Sequence, residues 1–273
     1  MTTTFETPKN VRLELSVAAG VIELQTEDRD TTTVELEPMS GDAQALIDAT
    51  EPECREESGG HRVRVRVPTN KNLFKPFGRG GAVRIRVVAP TGASLDASTA
   101  SADITLSGTL GAIDLKTASG DVAASGATAD TARINTASGD VRFGRSLSQT
   151  TIGSASGTIT VAETGGTADA KTMSGDVTVE HAEGSVRAAT MSGDVFLGSL
   201  TQGTVDAKTM SGDVTMDVVP GVRVWMDLSS LSGKAQSDLD QGDDSGGAAQ
   251  LRLSASTKSG DVRVRRSTGA PAR

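Results

Sequence analysis

The chain has no tyrosine, one tryptophan and five phenylalanines among 273 residues. A globular core of that length ordinarily draws much of its buried area from aromatic side chains, so a wide core is excluded. Val, Ile, Leu and Phe together number 56, near the level at which chains stop folding. Any core must therefore be thin and built from small residues. The single cysteine, Cys54, excludes a disulfide within the chain. With only His61 and His181, a histidine metal centre or a Ser-His-Asp triad is poorly supplied. A net charge of −8 opposes binding to a nucleic-acid backbone, which calls for a concentrated basic face. No apolar run approaches the ~18 residues of a membrane span. The start, Met1 to Pro8, carries neither a basic n-region nor an apolar h-region. These absences lead to the expectation of a cytoplasmic protein with no transmembrane segment and no nucleic-acid partner.

What is present is a repeat. Ser-Gly-Asp-Val occurs at Ser119, Ser138, Ser174, Ser192, Ser211 and Ser259, with degenerate copies at Ser101, Ser156 and Ser232. From Ser101 to Ser211 the steps are 18, 19, 18, 18, 18 and 19 residues, and the last two are 21 and 27. Counting back from each Ser, Thr stands two places before it (Thr117, Thr136, Thr172, Thr190, Thr209, Thr257) and small or aliphatic residues stand four and six before it. The places between are mostly polar, so each segment reads as a strand with one buried face. After the corner, apolar residues fall at plus three and plus five, as in Val177 with Val179 and Val195 with Leu197. The alternation slips by one residue at the corner, which reverses the face of every following side chain. Glycine permits such a corner, and the following Asp can accept backbone N–H groups. The structural corners are thus Gly120, Asp121, Gly139, Asp140, Gly175, Asp176, Gly193, Asp194, Gly212, Asp213, Gly260 and Asp261. The reading is an all-β parallel solenoid of ~18-residue coils stacked at the ~4.8 Å spacing of paired strands. Rows of Thr and Ser are expected to form hydroxyl ladders between coils. An 18-residue coil also suits the hexapeptide helix of acyltransferases, but the apolar positions here do not recur every six residues.

Residues 1–91 lack the corner motif yet still alternate, as in Val11-Arg-Leu-Glu-Leu and Val83-Arg-Ile-Arg-Val. They read as a β-rich entry and cap region with one short helix over 42–50, Asp42 being the candidate N-cap. Residues 92–273 form the repeat region, continuous with it in a single domain. A basic, Gly-rich loop from Asn70 to Gly81 holds Phe74 and Phe77. These side chains either fold over the core end or meet a partner.

With these corners and the segment Val224-Trp-Met-Asp-Leu-Ser-Ser-Leu-Ser-Gly on the page, the chain resembles the bacterial "putative adhesin" β-strand-repeat family, a domain of unknown function overlapping Toastrack-type domains of envelope-stress proteins. The Ala19-Gly20-Val21-Ile22 element and the terminal Thr257-Lys-Ser-Gly-Asp-Val-Arg-Val match its habit. The resemblance implies a β-solenoid placed beside membrane-stress or transcription regulators, and it carries over no catalytic residues, metal or cofactor.

For binding, the residue just before each corner Ser changes from alanine in early coils to Met173, Met191, Met210 and Leu231 later. If it faces outward it forms an apolar stripe suited to an adaptable partner. The stripe is the first candidate partner-binding face, the Phe74 and Phe77 loop the second. The stacked corner aspartates are read as turn caps, with bridging by a cation as the alternative. The leading expectation is a non-enzymatic scaffold for an unidentified protein partner, a membrane-associated stress or regulatory protein, with a homo-oligomer left open. The alternatives are an exported adhesin-like module and a carbohydrate-active β-helix enzyme.

Overall fold

The computed structural model describes residues 1–8, 10–41, 43–68, 81–239 and 250–267. The alternating segments fold as strands of a parallel β-solenoid, in two compact units, Met1–Gly139 and Asp140–Arg273. The 91/92 line between entry and repeat regions falls inside the first unit.

The first unit contains β1 (Thr2–Glu6), β2 (Val11–Glu27), β3 (Thr31–Pro38), the helix α1 (Ala43–Asp48), β4 (Glu53–Glu57), β5 (Gly60–Arg66), β6 (Val83–Pro90), β7 (Ser94–Thr117) and β8 (Val122–Thr136). Strand β2 lies in parallel between β7 on one side and β5 with β6 on the other. Strands β4, β3 and β1 then run antiparallel, closing the entry side. Helix α1 buries Ala43 and Ile47 where the sequence places a helix; Asp42 lies outside the described residues. On the outer face Arg84 bridges Glu23 and Glu37, and Arg86 bridges Glu23 and Glu35.

The entry region contains a corner that its sequence conceals. Ala19, Gly20 and Val21 pair with Ser101, Ala102 and Asp103. Gly20 has φ +130, and a Cβ there would stand 2.0 Å from the Val83 carbonyl oxygen. The Ser and Asp of the motif are lost at this corner, and only the glycine is kept. In the neighbouring layer the chain leaves β5 after Arg66 and resumes pairing beside Gly20 at Val83. Phe74 and Phe77 of the Asn70–Gly81 loop lie outside the described residues.

The second unit contains β9 (Val141–Ser154), β10 (Ile159–Thr164), β11 (Thr167–Lys171), β12 (Val177–Ala182), β13 (Val186–Ala189), β14 (Val195–Leu200), β15 (Gly203–Lys208), β16 (Val214–Val218), β17 (Val224–Ser232), β18 (Ala235–Ser237), β19 (Leu251–Ser259) and β20 (Val262–Arg266). One parallel sheet runs β9–β10–β12–β14–β16–β20–β18 and the other β9–β11–β13–β15–β19–β17. The two outer layers are out of chain order. The C-terminal coil, β19 with β20, lies between the β15–β16 layer and the β17–β18 layer. The chain passes over one layer and returns to fill it, which accounts for the long steps of 21 and 27 residues.

The coils of 19 residues keep register by bulging. Thr105 and Ser107 pair with Ala123 and Gly126, so the extra residue of the coil after Ser119 is extruded there. Likewise the register slips between Leu197 and Leu200, where Ser199 takes φ +46. The inward positions are buried except in the outermost β17–β18 layer, with Phe143 the largest fully buried side chain.

The outer face of β2 also carries a pH-sensitive contact. Arg64 donates to Glu14 at 2.7 Å, and Arg62 approaches the other oxygen at 3.3 Å. The hydrogen bond from Arg64 holds the Glu14 carboxyl below the ordinary carboxylate range, with burial opposing. A carboxyl with a lowered folded pKa stabilises the fold above its unfolded pKa, and that contribution is lost as pH falls through the folded value. Glu14→Gln is therefore expected to destabilise by about 1 kcal/mol at neutral pH. In urea titrations against pH, that difference should vanish on the acid side of the lowered pKa; a gap that persists there would refute the linkage.

Candidate functional site

The corners hold the surface side chains in fixed rows. In the second unit Ser156, Ser174, Ser192, Ser211 and Ser259 bridge in parallel from layer to layer. Beneath each corner a nearly buried Thr donates to the preceding layer's corner carbonyl: Thr172 to Gly157, Thr190 to Gly175, Thr209 to Gly193 and Thr257 to Gly212. Ser230 takes the same role toward Gly260 at 2.8 Å. The expected hydroxyl-to-hydroxyl ladder is thus largely replaced by hydroxyl-to-carbonyl bonds, because the corner presents its carbonyl at that depth. In the corner threonine row of the first unit, Thr99 still donates to the Thr117 hydroxyl at 2.9 Å.

The corner aspartates cap the neighbouring layer rather than their own turn. Asp103 accepts the N–H of Asp121, Asp176 that of Asp194, Asp194 that of Asp213, Asp213 that of Asp261, and Asp261 that of Lys234. Asp140 accepts the N–H of Thr158. Each carboxylate oxygen so engaged is stabilised by a backbone dipole. The carboxylate column is thereby explained as an interlayer hydrogen-bond ladder.

The methionines form a second column. The N–H of Ser192 donates to Met173, that of Ser211 to Met191 and that of Ser259 to Met210, each at 3.0 Å. The three side chains are consequently held one strand spacing apart, and they face outward, 55%, 47% and 42% exposed. Lys171 and Lys208 flank them on the same face, paired at 2.9 Å with Asp169 and Asp206. Sequence order puts Leu231 next to Met210; the structure does not. Ser211 bridges to Ser259, and Ser259 pairs with Ser232, so Lys258 stands between Met210 and Leu231. The stripe is three methionines and then a lysine, and Leu231 belongs to the outermost layer, 84% exposed. Lys258 was legible in advance: it is the residue before the corner Ser259. Trp225, also outermost and exposed, has the Arg252 guanidinium 5.9 Å from its ring centroid, a contact that repeat indexing does not show.

A shallow concavity of about 590 Å³ in the first unit is lined by Glu14, Ser16, Arg64, Arg66, Asp96 and Ser98 among others. Glu14 and Asp96 are register neighbours on β2 and β7, an arrangement that invites comparison with a glycosidase pair. Such a pair requires one carboxyl with a raised pKa as general acid. Here Glu14 is lowered by Arg64 and Asp96 is paired to Arg12 at 3.4 Å. Cys54 offers no activated thiolate, because burial raises its pKa.

Interlocked corners, a thin aliphatic core and rows of outward side chains define a parallel β-solenoid of repeated strand–corner–strand coils. Residues 10–265 match the Toastrack DUF4097 family, and the chain belongs to that family. Among solved structures it is similar to a protein of Parabacteroides distasonis described as a putative lipid binding protein, at 15% identity over 96% of each chain with a TM-score of 0.53. A second protein of that organism, described as a putative adhesin, is similar at 12% identity over 96% of each chain with a TM-score of 0.50. At these identities the likeness is one of fold. No curated protein matches the chain in sequence.

Proposed function

We propose that the chain is a non-enzymatic scaffold that binds a protein partner through the methionine column. The observation that carries this reading is the exposure of Met173, Met191 and Met210 on three successive layers. Unbranched thioether side chains in a rigid row adapt to apolar partners, and Lys258 continues the row with positive charge while Lys171 and Lys208 are paired to Asp169 and Asp206 beside it. The favoured partner presents apolar side chains interleaved with carboxylates. The lowered pKa of Glu14 and the ion pairs of the concavity support the non-enzymatic reading. A role beside envelope-stress or transcription regulators rests on the family resemblance, and a cytoplasmic location is proposed together with that role. A surface adhesive module is the second reading, favoured by the description of one Parabacteroides relative as an adhesin.

The test is a crosslinked pull-down of tagged protein from its native cells with membranes retained. A Met191→Asp/Met210→Asp variant is expected to lose the enriched protein while its stability changes by no more than about 1 kcal/mol, since both sites are exposed. A Thr178→Asp variant, altered on the other sheet, should retain it. Equal capture by all three proteins refutes the methionine column. Enrichment of cell-surface material alone moves the reading to adhesion.

A further inference from the structure

The outermost layer of the second unit is unlike the others. Strand β17 pairs with β19 along one side, and β18 pairs with β20 along one side; no described strand pairs with their other sides. The inward side chains register the difference. Leu251, Leu253 and Ala255 of β19 are 0%, 0% and 1% exposed, whereas Val224, Met226 and Leu228 of β17 are only half-buried. In the first unit the entry side is closed by antiparallel β1, β3 and β4. Among the described residues, β17 has no such closing strand. It also lacks the usual guards of a free edge: it contains no proline, lysine or inward charge, and Pro220 and Lys234 fall outside it.

The sequence of this edge is complementary to itself. In an antiparallel pairing about a two-fold axis through Leu228, the outward Trp225 of one copy lies opposite Leu231 of the other. These are two of the exposed large apolar side chains of the chain, 53% and 84% accessible. Asp227 lies opposite Ser229, so no like charges meet, and Leu228 meets its own copy across the axis. A neighbouring strand places opposed Cβ atoms about 5 Å apart, close enough to cover the half-buried row. From this geometry we infer that the protein forms a two-fold dimer through β17, the edge strands of two copies continuing one sheet. This surface is separate from the methionine column, and it gives Leu231 and Trp225 their role.

The test uses the full chain. Sedimentation at about 1–100 µM is expected to show twice the chain mass. In a Cys54→Ser background, Leu228→Cys should crosslink to itself under oxidation, whereas Thr178→Cys in the middle of the other sheet should not. The register is tested by charge. Trp225→Lys/Leu231→Lys and Trp225→Glu/Leu231→Glu each place like charges opposite one another and should be monomeric with unchanged circular dichroism. Mixing them should restore a heterodimer. A wild-type chain that stays monomeric, as when some other part of the chain covers this edge, overturns the inference. Open-ended assemblies, dimers untouched by either double variant, or a mixture that fails to associate overturn it equally.

Discussion

Replacing Gly193 by alanine is expected to destabilise the protein by about 3–5 kcal/mol, enough to unfold much of the second unit at ambient temperature. Two independent constraints act there. Gly193 has φ +143, which side-chain-bearing residues rarely adopt, and an added Cβ would stand 2.2 Å from the Gly175 carbonyl oxygen. Neither strand can move aside. The Gly193 N–H donates to Ser211 and that of Gly175 to Ser192, each at 3.0 Å, while the Thr190 hydroxyl donates to the same Gly175 carbonyl at 3.0 Å. The control is Gly221, also at positive φ (+85) but with nothing within 4 Å of an added Cβ, where alanine should cost about 1 kcal/mol. Urea unfolding of the two variants separates close packing from backbone strain. A Gly193→Ala loss no larger than that of Gly221→Ala would show that the corners are not packed against one another. Ala102 shows that a corner residue can carry a Cβ: it fills this place in β7 without a positive φ.

The same corner explains how far the fold could be read from residues alone. Ser, Gly and Asp recur because each makes an interlayer contact, so a motif search finds every layer that keeps all three. It misses the layer of Gly20, where only the glycine survives and the steric need for it becomes visible beside Val83. Coil lengths of 18 and 19 were equally legible, because a one-residue bulge absorbs the difference without changing which side chains are buried. Layer order was not legible. Steps of 21 and 27 residues reveal extra chain, but the pattern of alternation is the same in every coil and cannot say which coil lies against which. That degeneracy groups Leu231 with the methionines in sequence order and hides Lys258, which stands in the layer that touches Met210. The offset of the methionines from the corner leaves open whether they face outward; their exposure in the structure decides it.

Ending the chain after Leu239 tests that order directly, because chain order and spatial order imply opposite results. Were the layers stacked as they occur in the sequence, the loss of 240–273 would strip only the last coil, leaving Val224–Ser237 paired on the layer before it. In the observed order, among the described residues β17 and β18 pair only with β19 and β20, so both outer layers should be lost together. The buried Leu251, Leu253, Val262 and Val264 each contribute roughly 1.5–3 kcal/mol, a large share of the ~5–15 kcal/mol that holds a domain folded. Amide exchange is expected to rise to the unprotected limit across 224–237 and to increase in β15 and β16, whose outer partners are gone. A chain ending after Pro220 should match the one ending after Leu239 in both stability and protection, since residues 221–239 have lost the layer they pack on. Retained protection at 224–237 in the longer truncation would restore sequential stacking, and with it a continuous stripe running from Met173 to Leu231.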